Sequence, residues 1–398
     1  MVHSSVLTGN YPKEHGVWRV FDTSQAESLT DLGTCTAPLA THQVALRSQL
    51  SGYTFLDAAW TRGMVTSSCG WELTQGDPHA LYNLPDLSAS RERSLPGCVT
   101  RELASGFGLR PTLRAVPRMI SACSGLSYGG ASLGGAAALD EMFISAAESA
   151  ILEHQANVIL VQQSGYDMVS HCWGIQTPES DSILDRLKTN LERLILAAQK
   201  AGTYDDTVFA VMSDHLMFKV ETYVYLNNLF LQEGFIQKDD EKITKLDVYG
   251  ETLGRSFLVH VNDRTRSTIS RLLTSLNSAV DQGAWGIEKL LLPSDLDELR
   301  AGNFYDLACI AKPGVAFMNE LNPNCDMRKV KPDDYLKAHH GHDPRGNCTA
   351  FAIWGPGIKK GYDIGNMNVV DIAPTLAKVL GIDFPCSGKV LDVFEDDC

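Results

Sequence analysis

Two short apolar runs, each followed at once by polar residues, constrain most strongly how this chain can fold. Residues 157–161 lead to Asp167, and residues 207–212 lead directly to Ser213-Asp214-His215. Continuous apolar runs of this length are typical of strands that are covered on both faces, as in a parallel sheet. In open parallel sheets, ligands collect beyond the carboxyl ends of the strands. The runs therefore predict an α/β fold with a functional site at one rim of its sheet.

The segment between the two runs has the pattern of a helix. Thr177 suits the N-cap, Pro178 the first helical position and Gly202 the residue after the end. The apolar stripe of this helix consists of Leu184, Leu187, Leu191, Leu194, Ile195 and Ala198. Strand, helix and strand at this spacing predict a βαβ unit. Further helices are predicted over residues 140–154, 268–276 and 370–380.

We expect a single α/β domain over residues 1–398, in which helices sandwich a mostly parallel sheet. With 398 residues the chain is long enough for one large domain or for two ordinary ones. A small inserted α+β subdomain is predicted over residues 250–338, where a strand candidate at 256–261 precedes the helix candidate at 268–276.

Charge and hydropathy exclude several classes of function. With 34 Lys and Arg against 48 Asp and Glu, the formal charge is −14, so the surface should repel a nucleic-acid scaffold. No apolar run approaches the roughly 18 to 20 residues that span a bilayer. The N-terminus lacks a basic stretch followed by an apolar core, so no signal peptide is predicted. An acidic protein that handles phosphate esters needs local positive charge, which bound metal ions can supply.

Asp167 and His171 lie four residues apart, in what we expect to be the loop after the first strand. Zinc accepts nitrogen and oxygen ligands at about 2.0 to 2.2 Å, so this pair suits it, although other divalent ions accept the same ligands. The alternative is an aspartate that caps the next helix beside a surface histidine. Asp214 and His215 directly follow the second strand, where the alternative is a turn aspartate beside a partly buried histidine.

A third candidate segment, His339-His340-Gly341-His342-Asp343, is dense in histidine for a chain with 11 in all. It precedes another predicted buried strand over residues 350–354, and glycine beside a histidine allows close approach of the backbone to an ion. The alternative is a run of exposed histidines.

The order of these segments resembles the alkaline phosphatase superfamily, and within it the type I phosphodiesterase/nucleotide pyrophosphatase branch. The resemblance covers nearly the whole chain. It rests on residues 4–17, Asp167 with His171, residues 213–215, His340-Gly341, residues 355–358 and residues 371–375.

The resemblance implies a hydrolase of small-molecule phosphate esters with two divalent metal ions, usually zinc. Asp167, His171 and His340 would hold one ion, and Asp214 with His215 would help to hold the other. In that family one ion activates a Thr or Ser oxygen as the nucleophile, and the second helps to bind the transferred phosphoryl group.

The start of the chain departs from the family pattern. The family has an aspartate ligand at the end of its first strand and then the nucleophile, both before the position matched by His3, so we expect an N-terminally truncated chain. Ser4, Ser5 and Thr8 match the helix behind the nucleophile, and none of them is predicted to replace it.

Three neighbouring positions refine this interpretation. Leu216 stands where the family usually has glycine, which leaves the metal ligands but alters their loop. His3 and His15 match positions near the site, yet packing or capping is the simpler role for each.

Three hypotheses stay open at the level of sequence. The first is an active phosphodiesterase-like or phosphatase-like hydrolase, and the second is an inactive or truncated relative that keeps the fold. The third is a sulfatase, but sulfatases build their site around a modified Cys or Ser ahead of a basic residue, and His3 occupies the matching place.

Overall fold

The secondary structure alternates helices and strands, as a computed structural model shows for residues 2–17, 50–84 and 133–395, apart from residues 72, 75, 76 and 241. The helices are α1 Val2–Thr8, α2 Pro12–His15, α3 Phe55–Thr61, α4 Leu133–Leu152, α5 Gly165–Trp173, α6 Pro178–Ala201, α7 Asn227–Gln232, α8 Arg266–Asp281, α9 Pro293–Glu298 and α10 Ile372–Val379. The strands are β1 Thr66–Cys69, β2 Tyr82–Leu84, β3 Val158–Val161, β4 Phe209–Met212, β5 Phe218–Val224, β6 Ile236–Asp239, β7 Lys242–Leu246, β8 Val248–Thr252, β9 Ser256–Val261, β10 Ile287–Leu291, β11 Leu307–Ala311, β12 Gly314–Phe317, β13 Met327–Lys329, β14 Ala338–His339 and β15 Phe351–Trp354.

The predicted α/β fold is confirmed, but the strand directions are mixed rather than mostly parallel. Strands β2, β1 and β3 are parallel, and β5 pairs in parallel with β12. By contrast, β4 is antiparallel to β15, and β10, β11, β9 and β8 form an antiparallel sheet. An apolar run reports burial on both faces but carries no signal for strand direction, which explains the difference.

The two strands of the predicted βαβ unit, β3 and β4, belong to different sheets within the described residues, and two helices separate them rather than one. The long helix α6 itself is confirmed. Thr177 Oγ1 accepts a hydrogen bond from Ser180 N at 3.2 Å, and Gly202 ends the helix at φ 73°. Arg193 then joins α6 to Glu141 and Glu148 of α4 at 2.6 and 2.8 Å.

Among the described residues, the largest apolar cluster lies between Val224 and Leu321 and overlaps the predicted insert. Strands β8, β9 and β11 and helices α7 and α8 contribute side chains to it, including the fully buried Phe257. A second cluster joins α1, α3 and α10 to β3. Within the described residues, no helix combines the length and the apolar character that a bilayer crossing requires.

We expect Gly250→Ala to reduce the free energy of unfolding by about 1 to 3 kcal/mol, the usual cost of overpacking a core. A Cβ at Gly250 would lie 1.9 Å from a ring carbon of the fully buried Phe257. Urea unfolding measures the loss. The double variant Gly250→Ala/Phe257→Leu should lose less stability than the sum of the losses in the two single variants, because the smaller Leu side chain makes room for the new Cβ. Strictly additive losses would show that the two residues do not compete for space.

A buried carboxylate, Asp343, ties the antiparallel sheet to the segment that follows β14. Its side chain is 4 % exposed and accepts from Lys289 Nζ on β10 at 2.8 Å and from Arg345 Nη2 at 2.9 Å. Arg345 also contacts Asp295 of α9 at 3.2 Å. Burial opposes ionisation, but the two cations outweigh it and lower the pKa of Asp343 to about 2.

Asp343→Asn should therefore destabilise the protein by about 2 kcal/mol at pH 7, and the difference from wild type should vanish as the pH falls from 4 to 2. The sign follows because the pKa in the folded state lies below that of the unfolded chain, so the stabilisation exists above pH 4 and is lost on acidification. Urea unfolding at several pH values measures it. In Lys289→Met and Arg345→Met, the free energy of unfolding should decrease less on acidification than it does in wild type, because Asp343 has lost one of its two cations. If the free energy of unfolding depended on pH in all three variants as it does in wild type, Asp343 would not be the source of this stabilisation.

Candidate metal centre

Helix α5 places Asp167 and His171 one turn apart on one face, with Asp167 Oδ1 3.3 Å from His171 Nε2. The sequence predicted a loop at this point, and that prediction was wrong. The helical spacing explains the convergence better, because residues i and i+4 are neighbours on a helix surface.

The orientation of His171 is fixed from the opposite side of its ring. Its Nδ1–H donates to the carbonyl of Ala338 at 2.8 Å, which leaves Nε2 facing Asp167. The carbonyl of His171 accepts from the backbone N–H of Lys337 at 2.6 Å. The end of α5 is therefore held against β14, and this partner of the ring also fixes its tautomer.

His340 follows β14 directly, and its Nε2 lies 4.0 Å from Asp167 Oδ1. Strand β14 reaches this place because it pairs with β5. The next residue, Gly341, has φ 78°, and a Cβ there would lie 1.6 Å from the carbonyl oxygen of Leu253. This glycine is therefore needed for close approach to a neighbouring loop.

His215 reaches the cluster from the end of β4. Its Nε2 lies 3.9 Å from Asp167 Oδ1, and its ring is 4.1 Å from that of His340. Asp214 contacts the cluster through His215: Asp214 Oδ2 lies 3.3 Å from His215 Nε2, and Asp214 Oδ1 accepts from the backbone N–H of His215. The structure thus brings Asp167, His171, His215 and His340 together, with Asp214 at the edge of the group.

The charges within the centre are uneven. Burial opposes ionisation of Asp167, but its contact with His171 holds the pKa of Asp167 well below its usual range. Burial alone would lower the pKa of His171, but the contact with Asp167 outweighs it and raises this pKa. Burial and the neighbouring His215 lower the pKa of His340 to about 3, so this imidazole is neutral and its lone pair is available.

This set of donor atoms fits a divalent cation. Asp167 Oδ1 is buried and has no hydrogen-bond partner in the described part of the chain, although three imidazole Nε2 atoms lie 3.3 to 4.0 Å away. Two ligand atoms that share one zinc ion at about 2.0 to 2.2 Å stand roughly 3 to 4 Å apart. The distances between Asp167 Oδ1 and these nitrogen atoms are therefore compatible with metal ligation.

Sequence reasoning did not assign a role to His339, which lies beside the centre. Its ring is 4.8 Å from those of His171 and His340, and its Nδ1 accepts from the backbone N–H of His340 at 2.9 Å. Burial holds the pKa of His339 well below its usual range. The density of histidine in this segment alone does not distinguish between these two neighbouring residues.

A second group of similar composition lies away from the centre. His79 Nδ1 contacts Asp57 Oδ1, and its backbone N–H donates to Asp77 Oδ1 at 2.9 Å. The other oxygen of Asp57 accepts from Thr54 N at 2.8 Å in the N-terminal cap of α3. Because both oxygens of Asp57 are engaged, this group is an ion pair that stabilises a helix start.

The two N-terminal histidines pack inside the protein. His15 is fully buried, its Nδ1 accepts from Val17 N at 3.1 Å, and its Nε2 hydrogen-bonds Ser5 Oγ at 3.1 Å. His3 Nε2 hydrogen-bonds Gln162 Oε1 at 3.0 Å. The predicted packing or capping role is confirmed for His15, whose ring caps the end of its own short segment.

Comparisons with known proteins identify the family and the fold of the chain. Residues 1–343 match the family model described as type I phosphodiesterase / nucleotide pyrophosphatase. No curated protein sequence matches the chain.

Among solved structures, murine ectonucleotide pyrophosphatase/phosphodiesterase 5 is similar over 99% of this chain and 87% of that chain, with a TM-score of 0.62 and 14% identity. The human protein of the same name is similar over 97% of this chain and 84% of that chain, with a TM-score of 0.60 and 13% identity. An inactive variant of the murine protein, in complex with AMP, is similar over 97% of this chain and 84% of that chain, with a TM-score of 0.60 and 14% identity. At these identities the structures establish the fold, and the match over 343 residues establishes the family. The chain belongs to the type I phosphodiesterase/nucleotide pyrophosphatase family.

Proposed function

We propose that this chain is a metal-dependent hydrolase of small-molecule phosphate esters, of the phosphodiesterase and nucleotide pyrophosphatase type. The observation that carries the proposal is the convergence of His171, His215 and His340 on Asp167 Oδ1, a buried atom without a hydrogen bond among the described residues. The family membership of the chain and the AMP bound by a structural relative support a nucleotide or another phosphate ester as the substrate.

The proposal assigns the side chains to two divalent ions, for which zinc suits the donors. Asp167, His171 and His340 would hold one ion, while Asp214 and His215 would help to hold the other. When bound, the ions would neutralise the phosphoryl oxygens and lower the pKa of the attacking oxygen. The protein groups keep the donors in place, since His171 is oriented by the Ala338 carbonyl.

The charges of the centre explain why this chemistry depends on metal. Burial keeps His339 and His340 neutral, so these two imidazoles add no positive charge to attract a phosphoryl anion. Asp167 and Asp214 are acidic, and the whole chain carries a formal charge of −14. A phosphate ester would be repelled by such a centre unless cations occupied it.

A relative that keeps the fold and binds metal without turnover is the second candidate, and the environment of α1 favours it. Thr8 Oγ1 donates to the carbonyl of Ser4 at 2.8 Å, and Ser5 Oγ hydrogen-bonds His15. Both hydroxyl groups are buried. We therefore assign no nucleophile to these side chains.

The first prediction from this proposal concerns metal retention. Wild-type protein should retain two equivalents of zinc, and Asp214→Ala and His340→Ala should each lose the ion at the altered site. A ligand that binds only the folded state at 100 times its Kd adds about 2.7 kcal/mol of stability, so zinc should raise Tm in wild type more than in either variant.

His79→Ala is the matched control, because it removes an imidazole from an Asp–His pair outside the centre. This variant should keep the full zinc content. Metal analysis that finds two equivalents in both Asp214→Ala and His340→Ala would refute the ligand assignment.

A second prediction concerns the substrate. With zinc present, kcat/KM for bis-p-nitrophenyl phosphate should exceed that for p-nitrophenyl phosphate by about tenfold, a difference of ~1.4 kcal/mol in transition-state stabilisation. Turnover of p-nitrophenyl sulfate should be absent. Asp167→Asn should reduce the diesterase rate by about 100-fold, since it removes the negative charge of a ligand.

The outcomes separate the open hypotheses. Preferential hydrolysis of the sulfate ester would identify a sulfatase. Retention of both zinc ions without turnover of any of the three esters would reject the hydrolase and leave the inactive relative.

A further inference from the structure

A buried carboxylate on α4 contacts the start of the helix that carries two of the proposed ligands. Asp140 is 2 % exposed, and its Oδ1 accepts from the backbone N–H of Gly165 at 3.0 Å. Gly165 is the first residue of α5, and the residue before it, Ser164, makes no side-chain capping hydrogen bond. Asp140 therefore supplies from a neighbouring helix the cap that α5 lacks in its own sequence.

The backbone at this contact leaves no space for a side chain. A Cβ on Gly165 would lie 2.2 Å from Asp140 Oδ2 and 3.0 Å from Asp140 Cγ. Glycine is needed here for the close approach of the carboxylate. The pair Asp140 and Gly165 thus forms one fitted contact between α4 and α5.

The segment just before α5 is also held by neighbouring helices. Gln163 Nε2 donates to the carbonyl of Asp140 at 3.4 Å, and Gln163 Oε1 accepts from Asn190 Nδ2 of α6 at 2.7 Å. The backbone carbonyl of Asp140 on α4 and the side chain of Asn190 on α6 therefore hold the turn between β3 and α5 through Gln163. The contact of the Asp140 side chain with Gly165 is the last of these contacts before the proposed ligands.

Asp140 occupies this position at an energetic cost. Its Oδ2 is buried and has no hydrogen-bond partner among the described residues. Burial raises the pKa of Asp140 to about 7, although the N–H groups of Gly165 and Ser164 oppose the shift. A buried carboxyl group with an unsatisfied oxygen destabilises a fold.

A helix transmits the position of its first turn to its later residues. Asp167 lies two residues after Gly165, and His171 lies one turn further on the same face. Metal sites require their ligands within about 0.5 Å of the productive geometry. A displacement of the start of α5 would move both ligands together, away from His215 and His340, which other strands hold.

We infer that Asp140 is a positioning residue whose hydrogen bond to Gly165 sets the location of Asp167 and His171 in the centre. The inference rests on the proposed function, because it treats these two side chains as metal ligands.

Three variants test this role. Asp140→Leu keeps a branched side chain of similar shape but removes the acceptor, whereas Asp140→Asn keeps a carbonyl oxygen for the Gly165 N–H. Gly165→Ala leaves the carboxylate in place but forces a Cβ against it. Met142→Ala is the control for general destabilisation, because Met142 is fully buried on the same helix in the apolar cluster between α4 and strands β1 to β3.

Zinc affinity is measured by competition with a chromophoric chelator, and hydrogen exchange of the α5 amides is followed in the metal-free protein. Asp140→Leu and Gly165→Ala should weaken zinc binding by about 10-fold or more, the range found for groups that orient metal ligands. Both should also speed exchange at the start of α5. Asp140→Asn should keep a zinc affinity within about threefold of wild type, because its carbonyl oxygen still accepts the Gly165 hydrogen bond. Met142→Ala should lower Tm but leave both the zinc affinity and the exchange at the start of α5 as in wild type.

Wild-type affinity and exchange in Asp140→Leu would overturn the inference. So would a loss of affinity in Met142→Ala as large as in Asp140→Leu at a comparable loss of Tm, since the role would then be merely structural. If the wild-type protein binds no zinc, the proposed function fails, and exchange at Gly165 still decides whether Asp140 holds the start of α5.

Discussion

One carboxylate, that of Asp167, is the point on which the architecture of the centre depends. Three imidazoles from separate parts of the chain face its Oδ1 at 3.3 to 4.0 Å. A buried oxygen without a hydrogen bond is unfavourable, and an acidic chain would repel the phosphate ester that we propose as its substrate. A cation bound between these side chains would offset both effects, because it would contact the oxygen and supply positive charge.

Each proposed ligand is brought to this point by a different element of local structure. His171 follows from helical periodicity, His215 from the end of β4, and His340 from the pairing of β14 with β5. The orientation of the donors then depends on groups that never face the centre. The Ala338 carbonyl fixes the ring of His171, and the salt bridges of Asp343 hold the segment after His340.

The sequence predicted those features that short-range chemistry dictates. The bounds of α6 followed from Thr177, Pro178 and Gly202, since capping is local, and the core of β3 followed from its apolar run. Strand direction was not predictable, because parallel and antiparallel partners bury the same side chains. The helical course of α5 was missed as well, because its cap comes from Asp140, 25 residues earlier in the chain.

Glycine illustrates the same limit from another side. Gly165 and Gly341 both flank proposed ligands, and each is required because a distant group, Asp140 Oδ2 or the Leu253 carbonyl, occupies the space of its Cβ. From the sequence, only Gly341 of the two was given a role, which was close approach of the backbone to an ion. In the folded chain, both glycines make room instead for polar atoms of other segments beside Asp167 and His340. The rigidity of the centre therefore originates in contacts between segments, and a metal bound there would meet donors whose positions are set before it arrives.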